Sequence, residues 1–215
     1  MILGPVFRPR QYLVSIADAR LPSTFLPYIE HARTIRQDRS RFGCMDHLDF
    51  DEIKSWKRFE SLTDAYFRAL KVTHRHIIDV DSKKSGDGSD GGRDILVRMT
   101  LDDSIYTFER TWVVQCKYST DYTAVGKKML HDVNIPSLIH EYDADGYLLV
   151  SNSTLTAPLT LQFERYQNHC RFGYGYDFWD GDRFLERIGY QSSLWPTFFP
   201  AYNRYLKRLE KLTEI

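Results

Sequence analysis

From Asp49 onward the chain alternates between two hydrophobic periods. In DFDEIKSWKRFESLTDAYFRAL, the apolar residues Ile53, Trp56, Phe59, Leu62, Tyr66 and Leu70 recur at steps of three and four, with Asp51 and Glu52 at the front. That spacing predicts an amphipathic helix whose first turn carries the acids its dipole favours. Glu60 borders or joins the buried stripe, so it either reaches solvent at the edge or faces inward as a functional acid. HRHII predicts a short strand at Ile77-Ile78, followed by a Gly/Asp/Ser loop. DILVRMTL and TFERTWVVQCKY then read as two strands joined by a polar turn at Asp102-Asp103-Ser104, an antiparallel hairpin.

Helical spacing returns in VGKKMLHDV and in PSLIHEY from Pro136. YLLVSN is a short run of continuous apolar character, expected of a strand covered on both faces. Thr156 with Pro158 opens a helix running through Phe163 and Tyr166, DFWD is a last strand, and Asp180 or Asp182 caps the helix RFLERI. The order predicts an α/β sandwich around a central mixed sheet. The first 45 residues, with four prolines and the arginines Arg33, Arg36, Arg39 and Arg41, carry no such pattern.

Composition narrows the class. A chain of 215 residues is long enough to bury a real core, and 29 basic residues balance 29 acidic ones. A nucleic-acid surface must therefore be a local patch rather than a global field. Three cysteines, Cys44, Cys116 and Cys170, are an odd and sparse set that reads as reduced thiols in the cytoplasm. The opening MILGPVFRPRQYLV fits neither a secretory signal nor a membrane span.

The hairpin holds the candidate chemistry. Alternation puts Val113, Gln115 and Lys117 on one face of their strand and Trp112, Val114 and Cys116 on the other. The partner strand starts at Asp94, just after two glycines. One strand end thus offers an acid, an amide and an amine. The acid and the backbone carbonyl of Cys116 can hold a divalent cation, and the lysine can polarise an attacking water and stabilise charge on a phosphate. On spacing alone, an ordinary exposed lysine at a strand end explains the pattern equally well.

GGRD followed by a strand ending VVQCK resembles the PD-(D/E)xK nuclease superfamily, and within it the Mrr-type restriction endonuclease domain, where glutamine replaces the usual acid before x-K. The flanks agree: FESLTDAYF resembles the family's glutamate-bearing helix, YLLVSNSTLT its third strand and Ser/Thr-rich loop, and FWDGDRFLERI its closing strand and helix. The resemblance implies a restriction-endonuclease-like α-β-β-β-α-β fold. It makes Asp94 the metal-binding aspartate, Gln115 the first half of Q-x-K and a ligand, Lys117 the catalytic lysine, and Glu60 the helix glutamate and a further ligand. Asp90, at the head of the DGG turn, is the runner-up as metal ligand and reads as turn chemistry, since Asp commonly starts such loops. It further implies Mg²⁺ or Mn²⁺, double-stranded DNA as substrate, and a restriction-like part in bacterial antiviral defence. The expected division is an N-terminal arm over 1–45, a nuclease domain over 46–190 and an aromatic, basic helix over 191–215. The chain departs from the family in extra Asp and Ser around Asp87 and in a longer charged hairpin linker. The family's winged-helix reading domain is not recognisable, so engagement of DNA is expected to need a homo-oligomer or a defence-complex partner. A binding module with the same fold, or a nuclease for RNA or single strands, are the rival readings.

Other constellations are weaker. The loop after Ile78 lacks the GxxxxGK[ST] phosphate cradle, and as a calcium loop it would put lysines where a ligand and a glycine are needed. Cys44-x-x-His47 with His169-Cys170 lacks ordinary zinc spacing in its second pair. His74 and His76 read as solvated groups at a helix end. Cys116 lies on the face opposite Lys117, which argues against a nucleophilic thiol. SLWPTFFPAYNRYLKRLEKL reads as a helix whose apolar side packs on the core or on a partner chain.

Overall fold

The structure, a computed structural model, describes residues 47–85 and 93–213. A 3-10 turn at Phe50–Glu52 leads into helix α1, Trp56–Thr73, where the Ser55 hydroxyl accepts the Arg58 amide as N-cap. Three strands follow as a meander, β1 (Ile77–Lys84), β2 (Ile95–Asp102) and β3 (Thr107–Lys117). A 3-10 turn at Lys127–Leu130 and helix α2 (Ile135–Glu141) carry the chain to β4 (Gly146–Ser151). Helix α3 (Ala157–His169), β5 (Gly175–Trp179) and α4 (Gly181–Gly189) come next, then α5 (Trp195–Phe198) and α6 (Pro200–Thr213). The sheet runs β1-β2-β3-β4-β5, antiparallel through β3 and parallel from β3 to β5. This is the mixed-sheet sandwich expected of the restriction-endonuclease fold.

The sheet separates two hydrophobic cores. Phe59, Leu62, Tyr66, Phe67 and Leu70 of α1 pack with Val114, Val150 and Phe184 on one face, while Val113, Tyr147, Leu149, Leu159 and Phe163 pack on the other. β4 is buried along its whole length, as its continuous apolar run predicts. Asp180 rather than Asp182 caps α4, accepting the Arg183 amide at 2.9 Å. The hairpin turn forms where expected, with Asp102 and Asp103 carboxylates accepting the amides of Ser104, Ile105 and Tyr106. The late aromatic stretch lies on the α1 side of this same core: Leu194, Phe198 and Phe199 are buried there, and the Glu52 carboxylate caps α6 by accepting the amides of Ala201 and Tyr202 at 2.7 and 3.1 Å.

Two expectations are corrected. β1 runs eight residues to Lys84 rather than stopping at Ile78, because it is a sheet edge paired with β2, and its exposed Asp79, Asp81 and Lys83 are the charges that keep an edge from recruiting another strand. Trp56 is 52% exposed rather than buried in the α1 stripe. Phe50 and Ile53 of the preceding turn fill the space over the first helical turn, with the Phe50 and Phe59 rings 5.5 Å apart. Among the described residues, no helix is long and apolar enough to cross a membrane.

Candidate active site

The end of β3 is held on both sides. On the β2 side, the Asp94 amide donates to the Val114 carbonyl at 3.0 Å, and the Asp94 carbonyl accepts the Ser85 amide at 2.8 Å. The Asp94 carboxylate turns back along β3 and accepts the Cys116 amide at 2.5 Å. Register thus fixes the acid: Ile95 faces Val114, and the next step puts Asp94 beside Gln115 and Cys116. On the β4 side, Gln115 and Lys117 stand level with Leu149 and Ser151. Beyond the strand ends, the Asn152 side chain clasps the next loop, accepting the Ser119 amide and donating to its carbonyl, both at 2.7 Å.

Alternation holds through this segment. Val113 packs in the core under α2 and α3, and Val114 in the core under α1, so Gln115 and Lys117 belong to the former side and Cys116 to the latter. Gln115 is 2% exposed, and its carboxamide oxygen accepts a hydrogen bond from the Tyr147 hydroxyl. Lys117 is partly buried. Burial raises the Cys116 thiol well above its ordinary pKa, with the Asp94 charge adding to the rise, a hydrogen bond with Thr63 opposing it, and the Glu60 charge adding again. The thiol is therefore kept protonated. Asp94, just ahead of β2, and Glu60, on α1, are the acids whose charges act on this thiol. Burial also raises the Tyr147 hydroxyl well above the ordinary tyrosine range, with the Asp94 charge as the next cause.

Of the expected residues, Asp94 is thus fastened to the Cys116 backbone beside Gln115, with Lys117 one residue further along β3, while Glu60 is carried by α1, which packs on the Cys116 side of the sheet. Asp90 and Asp87 lie outside the described residues, as do Cys44 and the arginines at 33, 36, 39 and 41. His47 pairs with Asp49 at 3.4 Å, and Cys170 lies against the Tyr176 hydroxyl. Among the described residues, no three His, Cys, Asp or Glu side chains gather in a metal-binding group. Were Asp94, the Gln115 carboxamide, the Cys116 carbonyl and Glu60 to hold a cation, they would offer it oxygens alone, a set suited to a hard cation such as Mg²⁺ or Mn²⁺.

Tyr147 is the residue that sequence reasoning missed. The signal was available, because a tyrosine inside an apolar strand needs a partner for its hydroxyl. Immediately beyond Lys117 an open groove of about 540 Å³ is lined by Lys54, Ser55, Trp56, Tyr118, Ser119 and Thr120, among others. The exposed Trp56 ring and the Lys57 ammonium, 5.3 Å above it, lie at its α1 side.

A family model described as a restriction endonuclease, of the Mrr catalytic type, matches residues 52–188. Among solved structures, a DNA modification-dependent restriction endonuclease, AspBHI, aligns over 86% of this chain at 22% identity with a TM-score of 0.42. MspJI restriction endonuclease in complex with a 27-mer oligonucleotide aligns over 78% at 12% identity with a TM-score of 0.38. The chain spans 40% of the length of each of those proteins. None of the curated proteins matches it.

Proposed function

Since this chain belongs to the Mrr-type restriction endonuclease family, whose model spans residues 52–188, we propose that it is a metal-dependent endonuclease that hydrolyses phosphodiester bonds of double-stranded DNA. The observation that carries the reading is the hydrogen bond from the Cys116 amide to the Asp94 carboxylate, which holds the acid beside Gln115 and one residue from Lys117. Asp94, the Gln115 carboxamide and the Cys116 carbonyl would hold Mg²⁺ or Mn²⁺, with Glu60 contributing from α1 and Asp90 the alternative ligand. When bound, such a cation supplies positive charge to the phosphate and a more acidic water.

The chain's own residues do the rest. Lys117 brings a fixed positive charge to the strand end, where it stabilises negative charge developing on the phosphate oxygens and orients the attacking water. Water adds across one P–O bond, leaving a phosphate monoester on one side of the cut and a hydroxyl on the other. The buried Gln115 and Leu149 beneath the site limit water to the open side, which strengthens each charge interaction. The groove beyond Lys117, with Lys54 and Trp56 in its lining, is a path for the DNA strand as it leaves the site.

In this reading residues 46–190 form the nuclease domain, and the described residues from 191 to 213 pack along it. Restriction of foreign DNA in the cytoplasm of a bacterium is the setting that family membership supports by analogy. The test is incubation of purified protein with plasmid and Mg²⁺ or Mn²⁺ beside Lys117→Ala. Nicking or linearisation by the unaltered protein and its loss in the variant support the proposal. Equal cleavage by both ends it. Cation-independent DNA retention without cleavage would favour a binding module of the same fold.

A further inference from the structure

Tyr147 has no part in the chemistry above, yet its hydroxyl ends on the one neutral side chain of the proposed site. It is the second residue of β4 and is fully buried at 0% exposure, its ring tilted against Phe163 at 6.2 Å between centroids. The parallel register sets it level with Val113, two residues before Gln115 and therefore on the same face. From there its hydroxyl donates to the Gln115 carboxamide oxygen. A buried phenol without a partner is destabilising, and so is a buried carboxamide. Each satisfies the other.

The pairing also accounts for an amide where an acid is usual. A carboxylate at 115 would put a second negative charge near Asp94 in a position nearly closed to water, which is unfavourable until a cation arrives. The carboxamide avoids that charge but rotates freely about its last bond unless something holds it. A carbonyl oxygen accepts two hydrogen bonds, and Tyr147 occupies one position.

We infer that Tyr147 is a positioning residue of the cation site: its hydroxyl fixes the Gln115 carboxamide so that the second acceptor position of the oxygen is presented to the cation. This inference rests on Gln115 being a ligand, as proposed above, and the experiment separates the two ideas.

Mn²⁺ affinity is measured by calorimetry on the unaltered protein, Tyr147→Phe, Gln115→Ala and the double variant, with melting curves showing that each is folded. Tyr147→Phe keeps the ring and should weaken binding roughly five- to tenfold, the worth of one buried hydrogen bond. Gln115→Ala should weaken it at least as much, and the double variant no more than Gln115→Ala alone, because the tyrosine acts only through the amide. An unchanged affinity in Tyr147→Phe, or additive losses in the double variant, overturns the positioning role while leaving Gln115 a ligand. An unchanged affinity in Gln115→Ala overturns both. A second measurement needs no substitution: the Gln115 side-chain amide should give a rigid ¹⁵N signal before Mg²⁺ is added and should shift when it is. A freely rotating amide contradicts the inference.

Discussion

On the face of the sheet covered by α1 and α4, the core is a lattice of aromatic rings. Phe59, Tyr66, Trp179 and Phe184 meet at centroid distances of 5.6–6.0 Å, and the Arg187 guanidinium lies 4.3 Å over Trp179. On the face covered by α2 and α3 a hydroxyl and a carboxamide are set inside the core and bond each other, Tyr147 on Gln115. The difference is one of purpose. The aromatic face buries apolar surface and holds the helix that carries Glu60. The other face sets a mutually bonded polar pair under the end of β3, where the proposed site lies. Substitutions on the first face should therefore act on stability, and those at the β3 end on chemistry.

The largest separation is expected between Phe59→Ala and Lys117→Ala. Removing the Phe59 ring, which touches Phe50, Tyr118 and Phe184, should destabilise the fold by about 3–5 kcal/mol in chemical denaturation. Lys117→Ala should lower the cleavage rate by about 10²–10³-fold while moving the melting temperature little. A variant at Lys117 that loses stability and activity together would blur the two faces into one. Next in size, Glu60→Gln should reduce the cleavage rate about tenfold at fixed Mn²⁺ with stability unchanged, since it removes one charge at the helix side of the site. A rate equal to that of the unaltered protein would confine Glu60 to the aromatic face. Ser55→Ala, which removes the α1 cap, should cost about 1 kcal/mol of stability and leave the Mn²⁺ dependence of cleavage where it was.

The smallest effect concerns pH. Burial and the neighbouring His76 lower the His74 pKa from 6.5, so the folded state binds fewer protons than the unfolded one in mildly acid solution. Its contribution is intact above pH 6.5 and is lost as pH falls toward the depressed folded value. His74→Gln should flatten the acid limb of the stability curve measured by urea titration. An identical limb in the variant would assign it to other groups.

Much of this arrangement was legible in the chain itself. The unbroken apolar run of Tyr147 to Val150 marked a strand covered on both faces, and simple alternation put Gln115 and Lys117 together. The full length of the edge strand is not legible in the sequence, because its charged residues look like a loop until β2 pairs with them. The exposure of Trp56 is not legible either, because a helical period does not reveal that Phe50 and Ile53 fill the core beside the first turn. At the site, residue types were visible but contacts were not. The hydrogen bond between Asp94 and the Cys116 amide depends on strand register, and that between Tyr147 and Gln115 on the pairing of β3 with β4 across an intervening helix.

The most direct test of the account is Asp94→Asn. Asparagine keeps an oxygen that can accept the Cys116 amide while removing the charge and replacing the second oxygen with an NH₂ donor. Plasmid cleavage should be abolished in Mg²⁺ and in Mn²⁺, and calorimetric Mn²⁺ binding lost with it, while the melting curve stays that of the unaltered protein. Cleavage at the unaltered rate in a folded Asp94→Asn protein would contradict the placement of the active site at the end of β3.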